Sequence, residues 1–337
     1  MKNLFDYATK ELSQDAFLRW LFENYNCENK SVKQVFRKLF DSFTNNKLKD
    51  KEITNLETVA QWKNIDVSIW FNVDGKEHLI VIEDKTESGI HGNQLKNYNK
   101  KIKEHNEYWR KRGENYRTER YLKNEENIFR VFYKTNIIDQ SERSCAENCG
   151  WDNIYDINRI YALFSEINTD NEVLQYYKEH IKKIYCDANR VFSPSEWNLI
   201  SWHSFFNDYQ TPKCISEKKE INCYQKEYFY IKFFIKGHES DMPCFEIRSR
   251  DLKYDESQKK CSILARAVLY NLSSQANEPT IKTWQESLKN HGFKLNYRND
   301  ISTHKQIGVI CIENIDNTEE ALSITFDHIN NLLSSLF

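Results

Sequence analysis

The stretch IDVSIWFNVDGKEHLIVIEDK (residues 65–85) contains two apolar runs separated by Asp74-Gly75. An Asp-Gly pair between such runs is a strong hairpin signal, because a type I′ turn needs positive φ at both central residues. With these two residues as the loop, Val73 pairs with Lys76. Counting outward along both strands then places Asp66 directly opposite Glu83.

The predicted hairpin separates apolar side chains from charged ones. Side chains alternate between the two faces of a sheet, which predicts a core face made of Val67, Ile69, Phe71, Ile80 and Ile82. Asp66, Glu83 and Lys85 fall on the other face. Directly opposed residues have Cβ atoms about 4.5–5.5 Å apart, so two carboxylates placed there destabilise the sheet unless a cation lies between them. Carboxylate oxygens are the ligands that Mg²⁺ prefers, and Lys85 is placed to hold a water and to stabilise charge on a phosphate.

The tripeptide acid-x-Lys is weak evidence when it stands alone. It also occurs at residues 28–30, 217–219 and 251–253. Only Glu83-Asp84-Lys85 ends an apolar strand and faces an acidic residue across a predicted turn. The competing interpretation is a set of strand-end charges at a solvent-exposed edge.

With this hairpin, the residues resemble the signature of the PD-(D/E)XK nuclease superfamily. Asp66 is followed after the turn by Glu83-Asp84-Lys85, and Gln94-Leu95-Lys96-Asn97-Tyr98 is similar to the Q-x-x-x-Y helix motif of the RecB-like branch. The closest resemblance is to stand-alone bacterial members, in which an IEDKT-like strand precedes a loop with a histidine, here His91. Ile65 departs from the pattern, because a proline usually precedes the first aspartate.

The resemblance implies a metal site and a set of catalytic residues. The implied ligands of Mg²⁺, with Mn²⁺ as a substitute, are Glu11, Asp66, Glu83 and the carbonyl of Asp84. The implied catalytic residues are Asp66, Glu83, Lys85, Gln94 and Tyr98. Lys85 would position the attacking water. The first helix offers two candidates for the additional acidic ligand, Glu11 and Asp15.

Charge is concentrated in one segment of an otherwise balanced chain. The formal net charge is -2, but residues 96–123 contain ten Lys or Arg and four Glu. A basic stripe of this kind neutralises phosphates, which predicts nucleic-acid contacts from Lys96, Lys100, Lys101 and Lys103. The competing interpretation is a solvated helix face with i,i+4 ion pairs.

The length of 337 residues suggests two domains. The resemblance implies an α/β nuclease domain over residues 1–190, with a restriction-endonuclease-like mixed β-sheet flanked by helices. The pattern of residues 191–337 predicts a smaller α+β domain of unknown role. Its pattern predicts strands at 228–235, 244–248 and 307–312, and helices near 263–273, 280–291 and 318–336.

Several protein classes are excluded by composition. The chain has no apolar run of the ~18–20 residues needed to cross a bilayer and no secretory leader, which predicts a cytoplasmic protein without a membrane partner. Nine cysteines without a CxxC pair favour reduced thiols over a disulfide framework or a zinc ribbon. A zinc ion shared by Cys145 and Cys149 is the weaker alternative.

The function implied by these observations is metal-dependent hydrolysis of phosphodiester bonds in DNA, in nucleic-acid processing or in defence against foreign DNA. One alternative is an RNA-cleaving nuclease, or one activated by a ligand of the C-terminal domain. Another is a nucleic-acid-binding protein that keeps a nuclease fold without turnover. A homodimer or a regulatory partner is left open.

Overall fold

A computed structural model divides the chain into two compact units, residues 1–189 and 190–337. The division falls one residue before the predicted boundary. The residues that the structure describes are 3–6, 11–86, 88–90, 92–112, 119–191, 197–208, 215–224, 228–235, 244–255, 260–270, 278–294, 304–315 and 318–336. His91 lies outside them.

The first unit is a mixed five-stranded sheet with helices on both faces. Its strands, in spatial order, are β1 (Thr54–Trp62), β2 (Ile65–Val73), β3 (Lys76–Lys85), β4 (Ile128–Lys134) and β5 (Asn153–Tyr155). Its helices are α1 (Glu11–Glu23), α2 (Lys30–Phe43), α3 (Gln94–Arg112), α4 (Gln140–Asn148), α5 (Ile157–Ser165) and α6 (Glu172–Ala188). The first three strands pair antiparallel, whereas β3, β4 and β5 pair parallel. The predicted α/β class is therefore confirmed at this coarse level.

The hairpin of β2 and β3 has the predicted turn and register. Asp74 and Gly75 both have positive φ, 50° and 71°. Val73 pairs with Lys76, and the register continues without a shift to Val67 opposite Ile82. The turn residues alone therefore placed Asp66 and Glu83 at the same end of the hairpin.

We expect Gly75→Val to lower the free energy of unfolding by about 1–2 kcal/mol, because an L-residue in the left-handed region carries that cost and valine tolerates it least. Nothing lies within 4 Å of a Cβ built at Gly75, so the cost is conformational and not steric. Urea unfolding measures it, with Gly75→Asn as the control that tolerates positive φ. Equal stability of the two variants would contradict the turn assignment.

Both faces of the hairpin are buried, whereas the sequence predicted one core face. On one face Phe71 packs edge-on against Phe40 of α2, with ring centroids 5.1 Å apart. On the other face Leu79 and Val81 form a cluster with Leu95 of α3 and other apolar residues. The reason is that β3 pairs parallel with β4, and strands in the parallel part of a sheet are covered by helices on both faces.

The second unit is an antiparallel five-stranded sheet with three helices among its described residues. The strand order is β10-β9-β8-β7-β6, and α9 packs against β9 and β10. Its elements are α7 (Leu199–Asp208), β6 (Ile215–Tyr224), β7 (Tyr228–Ile235), β8 (Cys244–Asp255), β9 (Lys260–Tyr270), α8 (Glu278–Asn290), β10 (His304–Ile315) and α9 (Thr318–Leu336).

The helix predicted near 263–273 is wrong. Residues 260–270 form β9, which pairs with β8 on one side and β10 on the other. Ala, Leu and Arg in this segment favour a helix by intrinsic propensity, but pairing on both edges outweighs that weak preference. Residues 271–273 lie outside the described part of the chain.

No helix in the part of the chain that the structure describes combines the length and the apolar character needed to cross a bilayer.

Candidate active site

The predicted carboxylates meet where β2 begins and β3 ends. Asp66 is the second residue of β2, and its Oδ2 accepts a hydrogen bond of 2.9 Å from the backbone N–H of Asp84. Glu83 and Lys85 lie on the same face of β3 because they are two residues apart. The structure therefore brings Asp66, Glu83 and Lys85 together, as the hairpin register requires.

Four oxygen atoms surround the ammonium group of Lys85. Its Nζ lies 2.5 Å from Oε1 of Glu83, 3.8 Å from Oε2 of Glu11 and 3.9 Å from Oδ2 of Asp66. It also donates a hydrogen bond of 3.0 Å to the carbonyl of Asp84. Glu83 is 0% exposed and Lys85 is 4% exposed. These groups are therefore not the exposed strand-end charges of the competing interpretation.

The carboxyl group of Glu83 is fully buried, which disfavours its charged form. Burial, and then the negative charge of Asp66, raise the pKa of Glu83 to about 8 despite the opposing attraction of Lys85. Its Oε1 faces the ammonium of Lys85, and its Oε2 accepts no hydrogen bond. Burial opposes the charge of Lys85, but Glu83, Asp66 and Glu11 together outweigh it and raise the pKa of Lys85. The cluster thus has more carboxyl groups than one ammonium can hold in the ionised form.

Asp84 contributes its backbone to this cluster and its side chain to a second, buried contact. The carboxylate accepts a hydrogen bond from Nε2 of Gln14 in α1. Burial, and then the charge of Asp15, raise the pKa of Asp84 well above its usual range. Burial and Asp66 also raise the pKa of Asp15, to about 6. Of the two acidic candidates on α1, Glu11 therefore reaches Lys85, whereas Asp15 contacts the side chain of Asp84.

Gln94 and Tyr98 lie on the face of α3 that covers Glu83. Nε2 of Gln94 donates a hydrogen bond of 2.7 Å to the hydroxyl of Tyr98. Burial, and then the charge of Glu83, raise the pKa of Tyr98, which keeps the phenol protonated. The buried Oε1 of Gln94 accepts no hydrogen bond. The motif thus places a neutral donor beside the buried carboxylate.

The predicted basic residues do not converge on Lys85. Lys96 and Lys100 are exposed and stand two residues on either side of Tyr98, about 200° around the helix. Lys103 is also exposed, and Lys100 forms an i,i+4 pair with Glu104 at 3.8 Å. Lys101 lies on the flank of α3, and its Nζ donates to the carbonyl of Lys63 at 3.0 Å. The exposed lysines therefore form a surface that points away from the carboxylates.

The oxygen donors around Lys85 suit a hard divalent cation. Among the described residues, no group of three or more His, Cys, Asp or Glu side chains is arranged to hold a metal ion. Three carboxylates and a peptide carbonyl nevertheless converge on the ammonium of Lys85, and the buried Glu83 has an oxygen without a donor. These ligand types match Mg²⁺ and Mn²⁺. A metal ion bound by them would displace the ammonium from its present position.

Four residues of this region were not predicted from the sequence: Gln14, Ser88, Lys134 and Glu142. Oγ of Ser88 donates a hydrogen bond of 2.5 Å to Oε1 of Glu11. Lys134 pairs in register with Lys85 on the neighbouring strand and contacts Glu142 of α4. The strand signal of β4 marked the segment that carries Lys134, but register between parallel strands is not readable from a single sequence. Ser88 and Glu142 gave no signal at all.

The arrangement is chemically suited to binding a cation and an anion together. The carboxylates supply negative charge at a buried point, and Lys85 supplies a donor beside them. Neither the models of known protein families, nor curated proteins, nor solved structures match this chain.

Proposed function

We propose that the chain is a metal-dependent nuclease of the PD-(D/E)XK type that hydrolyses phosphodiester bonds in DNA. The observation that carries this proposal is the convergence of Glu11, Asp66, Glu83 and the Asp84 carbonyl on Lys85. A structural ion pair needs one acid for one base. Here three acids and a carbonyl surround a single lysine at the ends of two strands, and a divalent cation would stabilise the ionised form of all three acids.

Each residue of the cluster has a distinct task in this proposal. Asp66, Glu83 and the carbonyl of Asp84 would hold the metal, with Glu11 as an additional ligand. When bound, the metal supplies charge neutralisation and polarises a phosphoryl oxygen. Lys85, once released by the carboxylates, holds the attacking water and stabilises charge on the phosphate. Tyr98 and Gln94 orient Glu83 from the covering helix.

The exposed lysines of α3 contribute to affinity in this proposal. Lys96, Lys100 and Lys103 neutralise phosphates of a nucleic-acid segment outside the cleavage point, which gives binding without sequence reading. Each phosphate that a lysine neutralises releases counterions, so replacing these three lysines would reduce the salt dependence of nucleic-acid binding. It would leave the chemistry at Lys85 unchanged, since they face the opposite side of the helix.

The central test is cleavage of supercoiled plasmid by the purified 337-residue chain. We expect nicking with Mg²⁺ or Mn²⁺ and none with EDTA, because the carboxylate cluster needs the divalent cation. Single-stranded DNA and RNA assayed in parallel identify the preferred nucleic acid. Preference for RNA would contradict the DNA assignment. Binding of DNA without cleavage under every metal condition would contradict the nuclease proposal and favour a binding protein.

A further inference from the structure

A second ion pair, between a buried lysine and a mostly buried glutamate, lies one strand away from Lys85. Lys134 ends β4, and its Nζ donates hydrogen bonds of 2.8 Å to both carboxylate oxygens of Glu142. The side chains of Lys134 and Glu142 are 3% and 11% exposed. Lys134 pairs in register with Lys85 on β3. Neighbouring residues in register share a face, so Lys134 projects on the same side of the sheet as Lys85.

The carboxylate of Glu142 is fixed by more than its lysine. Glu142 is the third residue of α4, and its N–H donates to Oδ1 of Asp139 at 2.8 Å. The N–H of Asp139 donates back to Oε2 of Glu142 at 3.3 Å. These reciprocal hydrogen bonds form a capping box. The carboxylate of Glu142 is thus fixed both by Asp139 at the start of α4 and by Lys134 of β4. It forms a rigid surface for the residues that follow β3.

The segment that follows β3 lies directly against this carboxylate. A Cβ built at Gly89 would lie 2.9 Å from Oε1 of Glu142, a separation that requires one partner to move. The preceding residue, Ser88, donates its hydroxyl to Oε1 of Glu11 at 2.5 Å. The other oxygen of Glu11 lies 3.8 Å from Nζ of Lys85. A continuous set of contacts therefore runs from Lys134 through residues 88–89 to Lys85.

A buried ion pair is a poor device for stability alone. Replacing both members with apolar side chains of similar volume is often neutral or stabilising, because the desolvation cost disappears with the charges. We propose that Lys134 and Glu142 are positioning residues: they fix residues 88–89, which in turn hold Glu11 beside Lys85. The effect on cleavage rests on the proposed function, whereas the effect on the segment does not.

The test uses the double variant Lys134→Met/Glu142→Leu of the 337-residue chain. Thermolysin cleaves before large apolar residues. We expect it to cleave the double variant at the Gly89–Ile90 bond at least tenfold faster than the wild type, relative to cleavage before Ile53, because the segment loses its support. We expect kcat for plasmid cleavage to fall at least tenfold with KM within twofold. Lys134→Arg, which keeps a donor to Glu142, should recover kcat to within about threefold of the wild type.

The matched control is Lys38→Met/Glu166→Leu, which removes an exposed Lys–Glu pair with a separation of 3.5 Å. It should leave both readouts unchanged, since exposed pairs contribute little. Gly89→Ala disturbs the same contact without removing a charge, because the added methyl group would lie 2.9 Å from Oε1 of Glu142. It should produce both effects, and it replaces the double variant as the test if that protein does not fold.

Unchanged proteolysis at residues 89–90 in the double variant and in Gly89→Ala would overturn the positioning role. Faster proteolysis with unchanged kcat would overturn its link to the active site. A wild-type chain that cleaves no nucleic acid would overturn the proposed function alone, since the proteolysis readout does not depend on it.

Discussion

Lys85→Met should lower Mg²⁺-dependent cleavage of DNA by about 10³-fold, the loss typical of removing a group that stabilises developing charge or transfers a proton. The methionine side chain fills most of the buried volume of lysine, so the fold should persist. Removal of the ammonium also takes away the group that competes with a metal for Asp66 and Glu83. Calorimetry should therefore show that Mn²⁺ binds at least as tightly to the variant as to the wild type.

Lys76→Met is the matched control, because Lys76 begins the same strand and is exposed. It should leave cleavage and Mn²⁺ affinity unchanged. Plasmid nicking by Lys85→Met at the wild-type rate would contradict the role of Lys85 in the chemistry. A variant that loses both cleavage and Mn²⁺ binding would show that the lysine is part of the cation site, contrary to the proposal.

Glu83→Gln should lower the rate of Mg²⁺-dependent DNA cleavage by about 10³-fold as well. The substitution removes a charged ligand of the proposed metal, which acts where negative charge develops. It also has an effect that needs no nuclease activity. The pKa of Glu83 is about 8 in the folded protein, against an ordinary 4.5. Between these values the folded chain retains a proton that the unfolded chain releases.

The free energy of unfolding in EDTA should therefore fall as pH rises toward 8, by at most about 1.4 kcal/mol per pH unit from this one group. The stabilisation is complete below pH 4.5 and lost above pH 8. Asp15, with its pKa of about 6, contributes with the same sign at lower pH. Above pH 6 the free energy of unfolding should therefore fall more steeply with pH in the wild type than in Glu83→Gln. The difference between the two slopes measures the contribution of Glu83.

Urea unfolding at several pH values between 6 and 9 measures this difference. Glu172→Gln is the control, because Glu172 is an exposed carboxylate in the first turn of α6. Its unfolding should follow the wild type at every pH. A Glu83→Gln protein with the same pH slope as the wild type would mean that Glu83 is ionised throughout, paired fully with Lys85.

The parts of the site that came from local geometry were predictable from sequence. The Asp74-Gly75 turn determined the register of β2 and β3, and register determined that Asp66 and Glu83 share a face. The helical spacing of Gln94 and Tyr98 placed both on one side of α3. Each of these inferences spans fewer than about 20 residues, where turn and helix geometry leave few alternatives.

The parts that depend on tertiary packing were not predictable. Whether Lys96 and Lys100 face the site depends on which side of α3 packs on the sheet. Tyr98 and Leu95 decide that, by burial against Trp151 and Val81, and they turn the lysines outward. Lys134 became visible only with the parallel register of β3 and β4. Residues 263–270 were predicted to be helical because intrinsic propensity does not show the pairing with β8 and β10 that makes them a strand.

Helix α1 contacts side chains on both faces of the end of β3. Glu11 reaches the ammonium of Lys85, while Gln14 and Asp15 contact the carboxyl of Asp84 behind the strand. These positions are three and four residues apart and so belong to one side of a single rigid rod. A small shift of α1 along its axis would therefore change two contacts at once. It would move Glu11 relative to the ammonium of Lys85, and it would move Gln14 and Asp15 relative to the carboxyl of Asp84.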